Sequence, residues 1–464
     1  MGVLETTVDP RAQSYLDART ATLTSLAELE TGLDAARDGG GEREVTRHHA
    51  RGKLLARERV ELLVDQDSPL LELSPVAGWG TGGPVGAAVV TAVGMVADRP
   101  CVIIASDPTV RDGAVGTGTL QKVQRAQQIA QQNRLPVIGL LEANGTEPAE
   151  QPDILGHAGE VVAGFARLAS ARIPTAAACF GGSTWLGGVD LADSFDYLIG
   201  IRPAGATGAT GGDPRPVDHL AEDERDALRL TRRCVQRLGP GGPALGSAGP
   251  DGGNPPHPDG SYPPHPDRGP AVVEPPRHDP EDLLAIPVTA PREILARVLD
   301  GSGLDEDQPG YGPAVCAGWA RVHGQPVAVL ASAGLVNGPE EAGKVIRFVR
   351  RAESAGTPLL LLRHGTGLPS PAETALAGAA VPLLTVRVGP WQGVSAVAAR
   401  ARFRFAWPGA GVTPAGSPGN GHAGPAAESA LHRSGRLDDD GVIDPRDTRT
   451  VLGFCLWLVQ RCRS

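Results

Sequence analysis

Two stretches of the chain present the same features in the same order, and this repetition limits the possible fold more than any other property of the sequence. The first is "DRPCVIIASDPTVRDGAVGTGTLQKVQRAQQIAQQNRLPVIGLLEANGTEP" and the second is "GQPVAVLASAGLVNGPEEAGKVIRFVRRAESAGTPLLLLRHGTGLP". Each begins with a turn holding a proline (Pro100, Pro326), then a buried strand, a polar loop and an amphipathic helix. A second proline (Pro136, Pro358), a second strand and a Gly-Thr pair (Gly145-Thr146, Gly365-Thr366) follow. A helix and a third strand come next, ending in "IPTAAACFGG" and "VPLLTVRVGP". A helix after each strand returns the chain for parallel pairing through right-handed crossovers. The expected fold is therefore α/β in two copies, with ligand loops at the carboxyl ends of the strands.

The rest of the chain is divided around these copies. Residues 11–37 and 49–65 carry apolar residues at helical spacing, giving an N-terminal helical segment over 1–69. The first α/β unit is expected over 70–238 and the second over 281–464. Between them, 239–280 is dominated by Gly and Pro and cannot bury enough apolar area to offset its ordering entropy, so it reads as a disordered linker. Its two "PPHPD" repeats hold His257 and His265, but no partners stand at metal spacing. A second Gly/Pro-rich insert covers 408–425.

Composition removes several classes of function. A formal net charge of −10 argues against a nucleic-acid binder. No 18-residue apolar run offers a membrane span, and the polar start "MGVLETTVDPRAQ" is unlike a signal peptide. The six cysteines form no CxxC pair, so no structural zinc or other metal is expected, and reduced thiols suit a cytoplasmic protein. The chain has no P-loop motif and, with only Met1 and Met95, no Met-Lys-Met biotin attachment sequence.

Candidate chemistry gathers at the strand ends. In "FGGSTWLGGVDLADSFD", the pair Gly187-Gly188 is open to two readings. It is either a turn requiring positive φ, or a source of bare backbone N–H groups able to stabilise a developing oxyanion. Lys122 and Arg125 lie on a helix that either faces a ligand's phosphates or is a solvated face. Glu147 is either a general base or a solvated loop residue, beside Asn144 in the same loop. His48-His49 adjoin the basic run "ARGKLLARER" and fit a surface helix; His364 precedes Gly365 on a ligand loop, with no nucleophile spaced to form a triad.

Four long stretches carry a family resemblance: "RHHARGKLLARERVELLVDQDSPLLELSPVAG", "VQRAQQIAQQNRLPVIGLLEANG", "PREILARVLDGSGLDEDQPGYG" and "GRLDDDGVIDPRDTRTVLG". The chain resembles the carboxyltransferase (β) subunit of biotin-dependent acyl-CoA carboxylases of the propionyl-CoA and methylcrotonyl-CoA type. The resemblance implies two crotonase-like domains, the first binding acyl-CoA and the second, from a partner copy, binding carboxybiotin delivered by a biotin carboxylase and carrier subunit. It therefore implies a homo-oligomer with biotin as cofactor. Catalysis in such a family rests on pockets of backbone N–H donors, with biotin itself as the base. Carried onto this sequence, the resemblance places Gly187 and Gly188 at the enolate pocket. It places Gly145 and Thr146, with Lys122 and Arg125, on the acyl-CoA side, and Gly365, Thr366, Gly367 and Gly393 on the biotin side.

Two departures keep further readings open. Ser395, Ala396, Val397 and Ala398 stand where biotin-side glycines are expected, and β-branched Val397 resists the loop conformations glycine accepts. The segment after Ile201 is shorter than in the family. An acyl-CoA enzyme without biotin (decarboxylation, hydrolysis or acyl transfer) and a non-catalytic paralogue within a carboxylase complex are the alternatives.

Overall fold

The computed structural model describes residues 2–145, 151–186, 189–202, 217–238, 273–332, 338–366, 368–392, 396–411 and 428–461. Contacts divide the chain into two units. The amino-terminal unit takes Gly32–Pro258 with Gly435–Leu437; the carboxy-terminal unit takes Met1–Thr31, Asp259–Ser434 and Asp438–Arg463. The N-terminal segment, expected as one piece over 1–69, is thus shared between them.

The chain begins with β1 (Gly2–Val3), α1 (Gln13–Arg37), α2 (Glu42–Ala50) and α3 (Ala56–Leu63). The first sheet is built from β2 (Leu70–Leu73), β3 (Val89–Val96), β4 (Arg99–Ser106), β5 (Val137–Asn144), β6 (Thr175–Leu186), β7 (Val189–Asp190), β8 (Tyr197–Ile201) and β9 (His219–Ala221). Its order is β2-β3-β4-β5-β6-β8-β9, with β7 beside β6. Helices α4 (Thr117–Gln132) and α5 (Gln151–Ser170) make the crossovers between parallel strands, and α6 (Glu224–Arg237) follows β9. Strands β3 to β5 are buried almost throughout, which explains their continuous apolar sequences.

The second sheet repeats the plan. After α7 (Pro291–Val298) come β10 (Gly303–Glu306), β11 (Val315–Val322), β12 (Gln325–Ser332), α8 (Pro339–Ser354), β13 (Leu359–Thr366), α9 (Ser370–Gly378) and β14 (Leu383–Gln392). Then follow α10 (Ala396–Arg400), β15 (Phe403–Ala406), α11 (Ala430–Gly435) and α12 (Thr448–Arg461). The order is β1-β10-β11-β12-β13-β14-β15, so the N-terminal strand edges the carboxy-terminal sheet, antiparallel to β10. Most of the expected linker lies outside the described residues. Its last stretch, 273–280, is fixed on the carboxy-terminal unit, where Arg277 N donates to Ser302 Oγ (2.9 Å) and His278 Nε2 meets Leu4 O (2.9 Å).

Hydrogen bonds show the duplication residue by residue. Val102, two residues after Pro100, pairs with Val137, one after Pro136; Ala328, two after Pro326, pairs with Leu359, one after Pro358. The repeat also reaches further back than the sequence reading placed it, to α3 and α7. Asp65 accepts from Ala97 N and Asp98 N at the β3–β4 turn (2.8 and 2.7 Å). Asp300 accepts from His323 N and Gly324 N at the β11–β12 turn (2.8 and 2.6 Å). Arg57 of α3 binds Glu72 of β2, and Arg292 of α7 binds Glu306 of β10.

The most telling pair is Lys122 and Lys344. Lys122 is 1% exposed and donates to Val89 O (2.8 Å) and Gly86 O (3.2 Å); Lys344 is 0% exposed and donates to Val315 O (2.7 Å). In both copies a helix lysine satisfies the carbonyl of the first residue of the second strand. Burial pushes the Lys122 ammonium down to about 8. Neither the ligand-facing nor the solvated-face reading of Lys122 agrees with this burial. Replacing Lys344 by Met leaves Val315 O without its donor, so a loss of about 1–3 kcal/mol of stability is expected in urea unfolding, and a similar loss for Lys122→Met.

Candidate active site

The parallel strands of each unit end on one side of its sheet, and the polar groups gathered there differ between the copies. Counting from the paired strand positions, Glu142 of β5 corresponds to His364 of β13, and Gly181 of β6 to Gly389 of β14. The pairing of β5 with β6 shifts register between Leu141 and Ala143, and that of β13 with β14 between Arg363 and Gly365. Each polar residue therefore sits at a bulge, which re-aims its side chain. The glycine opposite leaves room for it. A Cβ on Gly181 would stand 3.2 Å from the Glu142 carboxylate, and one on Gly389 would stand 2.6 Å from His364 Nδ1.

Charge is resolved in opposite ways at the two positions. Glu142 is clamped by Lys53 and by Arg59, whose Nη2 lies 2.6 Å from its carboxylate. Arg59 is 0% exposed, also binds Glu224 (2.8 Å) and stacks over the Phe180 ring. Lys53 donates to Phe180 O as well (3.0 Å), tying the clamp to the strand before the glycine-rich turn. The positions that match Lys53 and Arg59 in the second copy are Val288 and Ile294. There the His364 Nδ1 is buried with no hydrogen-bond partner among the described residues, and Val288 lies beside Gly389. Burial lowers the His364 pKa, favouring the uncharged ring.

Of the expected acyl-CoA side, Gly145 holds φ +91°, a left-handed conformation, with open space where a side chain would stand. Its carbonyl accepts from Val115 N (2.9 Å), and Asn144 Nδ2 donates to Asp112 O (2.7 Å), so this loop is laced to 110–115. Arg125 is largely buried and donates to Gln128 Oε1 along α4 (2.7 Å). Gly187, Gly188, Thr146 and Glu147 lie outside the described residues. A cavity of about 570 Å³ opens beside the start of α4, with Arg111, Ala114, Thr117, Gly118, Gln121 and Arg436 in its lining. Its volume suits a ligand of cofactor size.

Of the expected biotin side, Gly365 holds φ +83° and Thr366 continues β13 opposite Gln392. The match of the two Gly-Thr pairs is corrected by the strand register: Gly365 corresponds to Ala143, and Gly367 to Gly145. Gly367, Gly393 and Ser395 lie outside the described residues. Val397 is not a loop residue. It lies in α10, 0% exposed, within a cluster holding Leu376, Leu383 and Ala401. His49 is exposed beside Glu58 (3.1 Å), as a surface helix requires, but His48 is buried and its Nε2 meets Leu54 O (3.1 Å).

The comparisons with known proteins match this geometry. A family model described as a carboxyl transferase domain matches residues 47–192 and 217–378. The chain belongs to the carboxyl transferase family. It is a carboxyltransferase of the biotin-dependent acyl-CoA carboxylase β-subunit type. It is 37% identical to a probable biotin-dependent acyl-coenzyme A carboxylase beta2 subunit of Mycobacterium tuberculosis, over 98% of this chain and 96% of that one. It is 32% identical to the same organism's biotin-dependent 3-methylcrotonyl-coenzyme A carboxylase beta1 subunit, over 93% of each. Among solved structures, the beta subunit of P. aeruginosa geranyl-CoA carboxylase superposes with a TM-score of 0.82 at 26% identity, covering 100% of this carboxyltransferase and 97% of that chain. The two crotonase-like domains expected from the resemblance are the fold this neighbour shares.

Sequence reasoning missed the clamp of Lys53, Arg59, Glu142 and Glu224. Its trace was present: Glu142 interrupts the apolar run "VIGLLEAN" at the position His364 holds in "LLLLRHGT", just after Arg363. Replacing Arg59 by Leu removes the guanidinium shared by the buried Glu142 and the half-buried Glu224 carboxylates. A loss of about 3–5 kcal/mol is expected in urea unfolding, with partial recovery when Glu142→Gln is added.

Proposed function

We propose that this carboxyltransferase moves a carboxyl group from biotin, borne on a separate carrier protein, to the α or vinylogous carbon of an acyl-CoA. The observation that carries the reading is the pair of equivalent strand-end sites, each with a left-handed glycine beside it. One site adjoins a cavity large enough for part of an acyl-CoA; the other holds a buried imidazole nitrogen without a partner.

In the amino-terminal unit, Gly187 and Gly188 are the residues assigned to supply the backbone N–H groups that stabilise the charge developing on the thioester oxygen. Gly145 adds no side chain, so the thioester approaches the loop closely. Arg111 and Arg436 contribute positive charge to the cavity that takes the CoA phosphates, the role first given to Lys122 and Arg125. The Lys53–Glu142–Arg59 clamp holds the strand that leads into the glycine turn.

In the carboxy-terminal unit, Gly389 makes room for the His364 imidazole. Gly365 and Thr366, with Gly367 and Gly393, would hold the ureido ring of biotin. Biotin when bound supplies the carboxyl group and a ureido nitrogen as base. Counting on from the paired residues, Ser395 and Ala396 correspond to Gly187 and Gly188. Their lack of glycine does not remove N–H donors, since every residue except proline carries one. Val397 is taken up in packing. The five cysteines among the described residues carry no disulfide, which supports a reducing, cytoplasmic setting.

Gly188→Val tests the enolate pocket. Carboxylation in the presence of carboxylated carrier and a panel of acyl-CoAs should fall a hundred- to a thousandfold, about 3–4 kcal/mol of transition-state stabilisation. Acyl-CoA binding should fall less, because much of it comes from the remote nucleotide. A fully active Gly188→Val protein would make the pair a simple turn. We also propose a homo-oligomer, at least a dimer, in which the first unit of one chain works with the second unit of another, as the family resemblance implies. Light scattering at micromolar concentration should give at least a dimer; a monomer would reject sharing of the site between chains.

A further inference from the structure

Helix α6 carries charge on two sides, and only the inner side is matched. Ala227, Leu228, Cys234 and Val235 sit in an apolar core cluster of the amino-terminal unit, and Asp223 caps the helix by accepting from Asp226 N (2.8 Å). Glu224 is held by Arg59, and Arg232 binds Asp65 (2.6 Å). The outer side carries Arg225, Arg229, Arg233 and Arg237, all exposed and four residues apart. That spacing sets them in one row about 18 Å long on a firmly packed support. Asp226 answers Arg229 (2.5 Å), while the other three have no hydrogen bond or ion pair among the described residues. The equivalent helix of the carboxy-terminal unit is different. There α12 follows the bridge of Val442 to β15 as α6 follows the pairing of β9 with β8, yet α12 is buried from Leu452 to Val459.

We propose that this arginine row is the docking surface for an acidic face of the protein that bears biotin, an inference that rests on the carboxyltransferase reading above. Guanidinium groups in a row select carboxylates or phosphates. An exposed helix face suits an extended partner rather than one small anion. A nucleic acid would bring far more negative charge than four arginines offset on a chain of net charge −10. A carrier protein has a further requirement, because it arrives and leaves in every turnover. Charged contacts that stay in solvent speed encounter and fix orientation while burying little apolar area, so they release the partner after transfer. The acidic remainder of the chain repels an acidic carrier, which directs its approach to the one row of opposite sign. No bond is made or broken at the arginines themselves.

The test uses the full chain and runs the transfer backwards, from a carboxylated acyl-CoA to one of two acceptors. One acceptor is the biotin-bearing carrier protein; the other is biotin methyl ester, which has no protein surface to dock. The combined variant Arg225→Gln, Arg233→Gln and Arg237→Gln removes the unmatched charge and keeps good helix formers. At about 0.05 M salt its kcat/KM for the carrier should fall roughly tenfold, with transfer to the ester unchanged within about twofold. At about 0.5 M salt the two proteins should converge, because exposed charges are screened. Poly-L-glutamate should inhibit transfer to the carrier in the wild type, much less in the variant, and should leave transfer to the ester alone. An unchanged kcat/KM for the carrier in the variant sinks the inference while the carboxyltransferase reading stands. Equal losses for carrier and ester would give the row a structural role, and a changed oligomeric state by light scattering would make it a contact between copies; either result overturns docking. Stronger inhibition by a DNA oligonucleotide than by poly-L-glutamate of equal charge would mark a nucleic-acid surface and overturn it as well. A wild type that carboxylates neither acceptor would sink the carboxyl-donor reading, and this inference with it.

Discussion

A lysine ammonium, sealed under a helix and answered only by backbone carbonyls, governs how each unit is assembled. Lys122 and Lys344 each reach from a crossover helix to the head of the second strand. A charge in such a place is costly to desolvate, so the helix has few ways to sit on the sheet. With the helix placed, the loops at its amino end and the strand ends they flank are placed too. The cavity beside α4 is one result.

The same unit built twice lets physical roles be separated by comparison. What both copies keep is scaffolding: the aspartate that receives the hairpin turn, the arginine–glutamate pair between a helix and the strand before the hairpin, and the buried lysine. Among the polar groups described above, the contrast lies at the carboxyl ends of the strands. A charged clamp occupies one copy and an uncharged imidazole the other. Divergence at that end suits a two-substrate enzyme, since its two sites must prefer unlike ligands on one backbone plan.

Much of this was legible in the sequence. Proline-marked turns, apolar runs and amphipathic helices gave the α/β plan and its repetition, because those patterns follow directly from backbone geometry and burial. The limits of the repeat were less visible. The motif "ARERVELL" reads as a free amphipathic helix, whereas the bonds of Arg57 and Arg59, and of Asp65 just after it, tie it to the sheet. Lys122 was misread because a lone lysine in a polar helix ordinarily lies in solvent; its partners are carbonyls, which leave no mark in a sequence. Val397 was misread because a five-residue helix at 396–400 is too short to show periodicity. The Gly-Thr match slipped by two residues because composition, unlike strand register, does not count positions.

The glycines facing the two bulges have a consequence for how such a site changes over time. Gly181 and Gly389 keep the same hollow open, whichever side chain fills it. The backbone is therefore indifferent to the occupant, and the selectivity lies in the lining supplied by α3 or α7 and the residues just before them. An exchange of glutamate for histidine is sterically free but electrostatically forbidden until Lys53 and Arg59 are exchanged as well. The hollow behaves as a socket whose insert is replaceable only together with its casing, so intermediates between the two forms pass through a stranded charge. Two copies on one chain sidestep that barrier, because each holds a finished version of the socket.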